Sequence, residues 1–323
     1  MDRRTFVGGV AGGLLALPLA VAAQQQGKVP VVGVLHPDLG PRAAIPDQAR
    51  QRLRDLGYVE GKDIAFDVRF AGGKPETFPG LAADLVRRKV DLLLTIGPAA
   101  LRAARGATNA IPIVAYDLES DPVQAGFARS LAHPGGNVTG FFLDQPGLAG
   151  KWLEMIREAV PGTRRIAVLV DTTTGPWQLA SIKREADKLG IEIQVLEVRN
   201  AAELDQTLGA RYKAGSLALV QLSSPLFNTK QVAKFTTEHR LPAISMFRRF
   251  AEAGGLISYG PDQMEYQKRP AVYIDKILKG AKPGDLAIEQ PTKFELIINL
   301  KTAKALGLTI PQTLLLRADE VIQ

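Results

Sequence analysis

The residue types that could carry catalysis or bind a metal are few in this chain and stand far apart. The three histidines, His36, His133 and His239, are separated by about a hundred residues each and lack the helical spacing of a metal site. Cysteine is absent, which excludes disulfides, thiolate-bound zinc and a cysteine nucleophile. The sequence also lacks a Gly-x4-Gly-Lys-Ser/Thr phosphate loop, a Gly-x-Gly-x-x-Gly motif after the first strand and a Gly-x-Ser-x-Gly elbow. Catalysis is therefore poorly supported, and no cofactor or metal is expected.

Small polar groups and aromatic rings follow several predicted strands, and these groups suit binding better than catalysis. Backbone N–H groups and hydroxyls at a helix N-terminus can hold a carboxylate. A buried acid such as Asp117, Asp121 or Asp171 can hold an ammonium group, while aromatic rings cover the apolar part of a ligand. The candidate ligand-binding residues are His36, Gly97, Pro98, Ala99, Tyr116, Asp117, Asp121, Asp171, Thr172, Thr174, Ser223, Ser224, Phe247 and Tyr259.

Several of these candidates also have a purely structural interpretation, which the sequence leaves open. Asp121 precedes Pro122 and could be an ordinary helix N-cap. Phe247 could belong to the core, and His36 could be a loop residue outside the site. His133, in a Pro-Gly-Gly turn, and His239, at a helix end, are interpreted as structural.

The elements that must position the candidates alternate between strand and helix after Val29. Predicted strands span 31–35, 64–70, 90–96, 113–116, 137–140, 166–170, 192–198, 217–222, 243–245, 256–259 and 294–298. Predicted helices include 79–89, 98–107, 121–132, 148–160, 177–189, 202–212, 229–239, 264–278 and 300–306. The alternation predicts an α/β protein with two parallel sheets, each covered by helices on both faces. Right-handed crossovers place the carboxyl ends of the strands at one edge of each sheet, where ligands of such sheets bind.

Two such sheets in one chain predict two Rossmann-like lobes with a cleft between them. Lobe 1 is predicted to hold residues 29–143 and about 260–285, and lobe 2 residues 146–258 and about 286–323. The polar stretches 144–147 and 260–262 are the predicted first and second crossings between the lobes. A third crossing is expected around the strand 294–298, although periodicity alone does not fix the lobe of the last forty residues.

The N-terminus, residues 1–23, reads as an export signal. Arg3 and Arg4 precede an uncharged stretch that ends in small residues at Ala23. The paired arginines suggest the twin-arginine route, but Asp2 stands where Ser or Thr is more usual, so the export route stays open. An uncleaved membrane anchor is the alternative. The interpretation predicts a periplasmic protein.

The net charge of +7 is spread over the chain. Lysines and arginines stand mostly on predicted helix faces near acidic residues, without a basic stripe. A solvated surface is the preferred interpretation, and nucleic-acid binding is not expected.

Long phrases of the chain resemble the substrate-binding proteins of ABC transporters, in particular the family with tryptophan- and tyrosine-binding members. The matching phrases are LRDLGYVEG (53–61), DPVQAG (121–126), HPGGNVTG (133–140), FAEAGGLISYG (250–260), YIDKILKGAKP (273–283), PTKFELIINLK (291–301) and RADEVI (317–322). The resemblance implies a type I periplasmic-binding-protein fold with a three-crossing hinge that closes over a small ligand. It further implies delivery to a membrane permease powered by a separate ATPase subunit, and a monomeric receptor.

Two departures from the family pattern bear on the ligand. Many relatives have Gly-Thr-Pro where this chain has Ile96-Gly97-Pro98, so one hydroxyl available to a carboxylate is missing. Relatives often have Asn-Pro where this chain has Asp171-Thr172, and an acid there would favour a cationic or amino-bearing ligand.

The leading hypothesis is a non-enzymatic receptor for a small polar, amino-acid-like compound. One alternative is an exported ligand sensor that docks onto a signalling receptor. A second alternative is an exported α/β enzyme, which would need a reactive group such as Asp171 or His36.

Overall fold

A computed structural model describes residues 28–37, 45–117, 122–143, 147–211 and 218–323. The predicted export signal, the candidate Asp121 and most of the predicted first crossing (144–146) lie outside the described residues. Within the described part, no helix is long and apolar enough to cross a membrane.

The strands of the described residues form two sheets. They are β1 (Val31–His36), β2 (Ala65–Phe70), β3 (Leu92–Ile96), β4 (Ile113–Tyr116), β5 (Val138–Phe141), β6 (Arg165–Asp171), β7 (Glu192–Val198), β8 (Ala218–Gln221), β9 (Ala243–Ser245), β10 (Ile257–Pro261), β11 (Phe294–Asn299) and β12 (Glu320–Ile322). The first sheet has the order β2-β1-β3-β4-β5 and the second β12-β11-β10-β9-β8-β6-β7. All pairs are parallel except β10–β11, so β11 and β12 run against the rest of the second sheet.

Helices follow most strands. They are α1 (Asp47–Asp55), α2 (Phe78–Arg87), α3 (Pro98–Ala107), α4 (Leu148–Ala159), α5 (Trp177–Leu189), α6 (Leu204–Gln206), α7 (Thr229–Glu238), α8 (Arg248–Glu252), α9 (Gln263–Tyr266), α10 (Arg269–Leu278), α11 (Leu300–Ala305) and α12 (Gln312–Leu315). Short 3₁₀ turns span Pro75–Thr77, Thr172–Thr174, Ala201–Glu203 and Pro283–Asp285, and a π-helical turn spans Thr207–Arg211.

The apolar runs of the central strands are buried on both faces, as a sheet between two helical layers requires. In β1 and β3, Val34 and Leu94 belong to one apolar cluster, whereas Leu35 and Leu93 belong to another on the opposite face. Successive strand residues point to opposite faces, so one continuous apolar run supplies both cores. The α/β class predicted from the sequence is confirmed.

Three predicted helices differ from the observed ones. The segment predicted as a helix from 121 to 132 begins its described part with turns, and Gly126 has a φ of +78°, which does not continue a helix. The predicted helix 264–278 is interrupted at 267–268, just before Pro270, whose ring has no N–H to donate. The predicted helix 202–212 is a short α-helix followed by the π-helical turn. The strand β12 and the helices α8 and α12 were not predicted.

The chain passes between the sheets three times: between β5 and α4, between β10 and α10, and before β11. β10 continues to Pro261, which pairs with Phe294, so the second crossing begins after it. Glu289 still bridges to Phe141 beside the first sheet. We propose that lobe 1 holds residues 29–143 and 266–289 and lobe 2 residues 147–261 and 294–323, which moves the predicted limits at the second and third crossings by about three to eight residues.

A cleft between the two sheets as the candidate functional site

The carboxyl ends of strands from both sheets border one cleft of about 810 Å³. Lobe 1 contributes His36, Pro37, Pro46, Asp47, Gln48, Ile96 and Tyr116. Lobe 2 contributes Ser224, Pro225, Phe227, Asn228, Thr229, Lys230, Phe247, Arg249, Glu252 and Ala253, and Gln267 follows the second crossing at the start of the returning segment of lobe 1. The volume lies within the usual range for small-molecule sites.

Tyr116 lines the cleft and is backed by two aromatic rings that line a separate cavity. Tyr116, at the end of β4, packs edge-on against Phe141 with ring centroids 5.0 Å apart, and lies 5.7 Å from the ring of Tyr266. Burial, with the hydrogen bond between Tyr116 and Tyr266, raises the pKa of Tyr116 well above its usual value. Tyr116 is therefore a neutral hydrogen-bonding group on an apolar wall.

Helix α8 brings charge to the opposite wall. Phe247 precedes the helix with extended backbone, and buried Phe250 anchors it. Consecutive helix residues point about 100° apart. Arg248 therefore turns away, to Glu295 at 3.0 Å and Glu320 at 2.7 Å, whereas Arg249 lines the cleft. Arg249 forms no salt bridge with another described residue, and its charge acts to lower the pKa of Tyr116 across the cleft.

Further polar groups complete the lining. Asp47 in the first turn of α1 and Glu252 of α8 are exposed carboxylates, and Lys230 in the first turn of α7 is a second cation. The side chain of Asn228 caps α7 by accepting a hydrogen bond from the Gln231 N–H at 3.3 Å. The cleft thus presents both signs of charge beside aromatic surface, which suits a small zwitterion. No group of three His, Asp or Glu side chains in the described part of the chain is placed to hold a metal ion.

A second set of predicted residues, around the end of β6, does not line the cleft. The Asp171 carboxylate is fully buried and accepts hydrogen bonds from the N–H and hydroxyl of Thr173 and from the Ser224 hydroxyl, each at 2.7 Å. Burial raises the pKa of Asp171, although these hydrogen bonds act in the opposite direction. Thr174 is buried and donates to the Asp171 carbonyl at 2.8 Å, while Thr172 is exposed. The expectation that Asp171 adds negative charge to the cleft is therefore corrected.

The segment 97–99 is a contact between the lobes. Gly97 has a φ of +85°, and a Cβ placed on it would lie 3.2 Å from the Pro225 ring of lobe 2. Pro98 is buried in the first turn of α3, and Ala99 borders a small apolar cavity with Pro225 and Leu226. The segment 97–99 therefore faces the other lobe, while Ile96, the last residue of β3, still borders the cleft.

The other described candidates do not line the cleft. Asp117 has a φ of +69° and accepts a hydrogen bond from the Leu143 N–H at 3.2 Å. Tyr259 stacks on Phe294, with ring centroids 5.9 Å apart, and its hydroxyl accepts from Lys151 at 3.1 Å. Ser223 is buried and does not border the cleft.

The cleft therefore collects His36, Tyr116, Ser224 and Phe247 from the predicted set. Sequence reasoning missed Asp47, Gln48, Arg249, Glu252 and Gln267. The sequence places Arg249 only two residues after the candidate Phe247. Which of Arg248 and Arg249 faces the cleft depends on the rotation of helix α8 about its axis, and this helix was not predicted. Participation of these residues in ligand binding stays a prediction.

The fold and the cleft together define a two-lobed protein of the type I periplasmic-binding-protein fold. A family model described as "ABC transporter substrate binding protein" matches residues 34–322. The chain belongs to this family, as its sequence motifs predicted. Membership implies a small-molecule ligand and transporter partners.

Three similar proteins place the chain more closely. A tyrosine-binding protein from Clostridioides difficile (strain R20291) is 28% identical over 259 residues, covering 79% of this chain and 74% of that protein. A solved ABC domain from Streptococcus pneumoniae in complex with L-Trp is 25% identical with a TM-score of 0.81. The ligand-free, open structure of the substrate-binding protein CD0873 from Clostridium difficile is also 25% identical, with a TM-score of 0.60. Each structural match covers 91% of this chain and 100% of the other.

The two TM-scores differ although identity and coverage are the same. A score over a whole two-lobed chain falls when the lobes are arranged differently about a hinge. By TM-score, this chain superposes better on the L-Trp complex than on the open structure.

Proposed function

We propose that the protein is the extracytoplasmic receptor of an ABC importer and captures a small, polar, amino-acid-like compound between two closing lobes. The observation that carries this proposal is the cleft of about 810 Å³, which both lobes line with groups of opposite charge and with aromatic rings. Binding and release, without a chemical step, complete the receptor's task.

The lining supports a division of roles toward a zwitterion. Arg249 is the group for a ligand carboxylate, because a guanidinium binds it with two parallel hydrogen bonds. Asp47 and Glu252 are the groups for an ammonium. Tyr116 and Phe247 cover the apolar side chain. Because the Asp171 charge is held by protein donors, the cleft does not need a net cationic ligand.

Family membership supports the wider setting of the proposal. Substrate-binding proteins of ABC transporters work outside the cytoplasm and deliver ligand to a permease and its ATPase. We propose the same partners here, with a periplasmic location, export by an N-terminal signal and a monomeric state. The paired residues Arg3 and Arg4 are the support for export by the twin-arginine route.

Isothermal titration with L-tryptophan and L-tyrosine, followed by the other amino acids, tests the proposal. These two probes are chosen because similar proteins are a tyrosine-binding protein and an L-Trp complex. We expect one saturable site. At a hundredfold excess over Kd, the ligand should add about 2.7 kcal/mol of stability, which raises Tm by roughly 5 °C.

Two results would count against this function. If no amino acid or small organic acid binds, the receptor proposal loses its basis. If NMR shows that a bound compound is converted during incubation, the protein is an enzyme.

A further inference from the structure

The lobes touch at the side farthest from the hinge as well as beside it. The crossings lie next to β5 and β10, whereas β2 and β7 are the opposite edges of the two sheets. Just beyond β2 and β7, the Ala201 N–H donates a hydrogen bond to the Gly73 carbonyl at 3.4 Å. The cleft is therefore bridged at its outer edge in this arrangement.

Arg102 makes a second contact across the gap. It lies on α3 of lobe 1, and its guanidinium donates a hydrogen bond to the carbonyl oxygen of Thr173 in lobe 2. Thr173 belongs to the 3₁₀ turn that follows β6, beneath which the Asp171 carboxylate is fully buried. The Arg102 charge also favours the ionised form of Asp171.

The turn that Arg102 reaches is connected to the cleft. The Asp171 carboxylate holds the turn through Thr173 and accepts from the Ser224 hydroxyl at 2.7 Å. Ser224 in turn accepts from the Leu226 N–H at 2.9 Å and borders the cleft. One buried carboxylate thus joins a lobe–lobe contact to a wall of the site.

We infer that Arg102 is a positioning residue for closure: its contact with the Asp171 turn holds the lobes shut and slows ligand release. The inference rests on the proposed function, since closure matters only if a ligand is enclosed. Arg102 does not itself border the cleft.

The position of the contact explains why it responds to closure. Strand spacing of about 4.8 Å places β3 about 10 Å from β5, and β6 about 14 Å from β10. A rotation about the hinge separates groups at that distance before it disturbs groups beside the crossings. The Arg102–Thr173 hydrogen bond therefore forms in the closed state only, and a contact of one state alone shifts the population toward it.

The test compares Arg102→Ala, Arg102→Lys and Arg105→Ala with the wild-type chain. Arg105 is a matched control on the same helix, because its guanidinium bonds to Asn109 in lobe 1 only. Stopped-flow fluorescence with L-tryptophan and L-tyrosine separates association from release. We expect Arg102→Ala to release ligand three- to tenfold faster with association within twofold, and Arg102→Lys to recover part of the loss.

A second measurement needs no ligand. The chain has no cysteine, so Gly73→Cys with Ala201→Cys gives one engineered pair. A Cβ on Gly73 would lie 3.0 Å from the Ala201 Cβ, shorter than the roughly 3.5–4.5 Å of a disulfide, so the two positions need to separate by about 0.5–1 Å for the bond and meet only when the lobes are nearly shut. We expect the disulfide to form at least threefold more slowly when Arg102→Ala is added, and at an unchanged rate with Arg105→Ala.

The outcomes separate the two proposals. Equal release and cross-linking rates for Arg102→Ala and Arg105→Ala would overturn the role of Arg102, even with ligand bound normally. If neither amino acid binds but cross-linking still slows, the closure contact stands and the ligand class fails. If Arg102→Ala changes only Tm, Arg102 is structural and the inference is wrong.

Discussion

Two pairs of strand ends lie at the carboxyl edges of the sheets but have different surroundings. The first pair is β4 and β9, and the second is β3 and β6. Tyr116 and Phe247, at the first pair, border an open cleft. Gly97 and Asp171, at the second pair, are covered by the opposite lobe or by their own turn. The first pair places side chains in the cleft, and the second pair lies against the other lobe or its own turn.

The difference follows from what faces each strand end. A Cβ on Gly97 would lie 3.2 Å from Pro225, and the turn after β6 meets Arg102, so both of these segments face the other lobe. At β4 and β9 the facing groups are Arg249 and an aromatic wall, which leave the cleft open. A position at the carboxyl edge is therefore not sufficient for a side chain to border the cleft.

Removing the cleft arginine should have the largest effect on binding. Arg249→Gln deletes a charged hydrogen-bond donor to the ligand carboxylate, and we expect Kd to rise about 10- to 100-fold, or about 1.5 to 3 kcal/mol. Arg248→Ala is the contrast, because Arg248 does not itself border the cleft: it bonds to Glu295 and Glu320 and pairs at 3.5 Å with Glu252 of the cleft lining. It should lower Tm by about 2–4 °C and raise Kd less than fivefold. Titration calorimetry and thermal unfolding of both variants measure this, and the reverse pattern would remove Arg249 from the site.

Gly97→Ala tests the covered strand end. A φ of +85° strains any residue with a Cβ, at about 1–2 kcal/mol, and the new Cβ meets Pro225 at 3.2 Å. Gly57→Ala carries the same kind of strain at φ +93° with nothing within 4 Å. Both variants should lose stability, but only Gly97→Ala should weaken binding and enlarge the radius of gyration by X-ray scattering. Equal behaviour of the two would show that the Gly97–Pro225 contact has no part in closure.

Asp171→Asn tests the buried carboxylate through pH. Burial raises the pKa of Asp171 in the folded state, so the folded state holds this proton more tightly than the unfolded state. The associated stability is present below the unfolded pKa of about 4 and is lost as pH rises through the folded pKa. Urea unfolding between pH 4 and 7 should show this loss in the wild type and a flatter profile in Asp171→Asn.

Asp262→Asn gives the opposite sign as a control. Lys293, at 2.7 Å, lowers the pKa of Asp262. The stability that Asp262 contributes is therefore present above the pKa of the unfolded state and is lost as pH falls through the pKa of the folded state. If Asp171→Asn left the pH dependence of the unfolding free energy unchanged, burial would not raise the pKa of the Asp171 carboxyl.

Of the variants proposed here, Tyr116→Phe should change Kd the least. The substitution keeps the ring against Phe141 and Tyr266 and removes only a hydroxyl. We expect Kd to change less than about threefold, within the usual net worth of a neutral hydrogen bond. A tenfold loss in titration calorimetry would instead make the hydroxyl a direct ligand group.

More of the fold than of the candidate site could be predicted from the sequence. An apolar run such as 31–35 has to be buried on both faces of a sheet. The succession of strands along the chain and the α/β class were therefore predictable. The reversal of β11 was not, because periodicity contains no direction. β12 was missed because Glu320–Ile322 is short and begins with an acid.

The site was predictable only as far as local pattern reaches. Strand ends named Tyr116 and Phe247 correctly as neighbours of the cleft. Whether Asp171 faces a ligand or Thr173 depends on a three-residue turn, and whether Gly97 is open depends on Pro225 in the other lobe. Contacts between distant segments decide these cases, and a single sequence does not specify them.

The ion pairs of Arg248 tie the helix that carries Arg249 to the last strand of the chain. Glu320 bonds to Arg248 at 2.7 Å. A substitution that removes the Glu320 carboxylate should therefore loosen one side of the helix whose next residue, Arg249, lines the cleft. Binding assays on variants near Glu320 should accordingly be paired with an unfolding measurement.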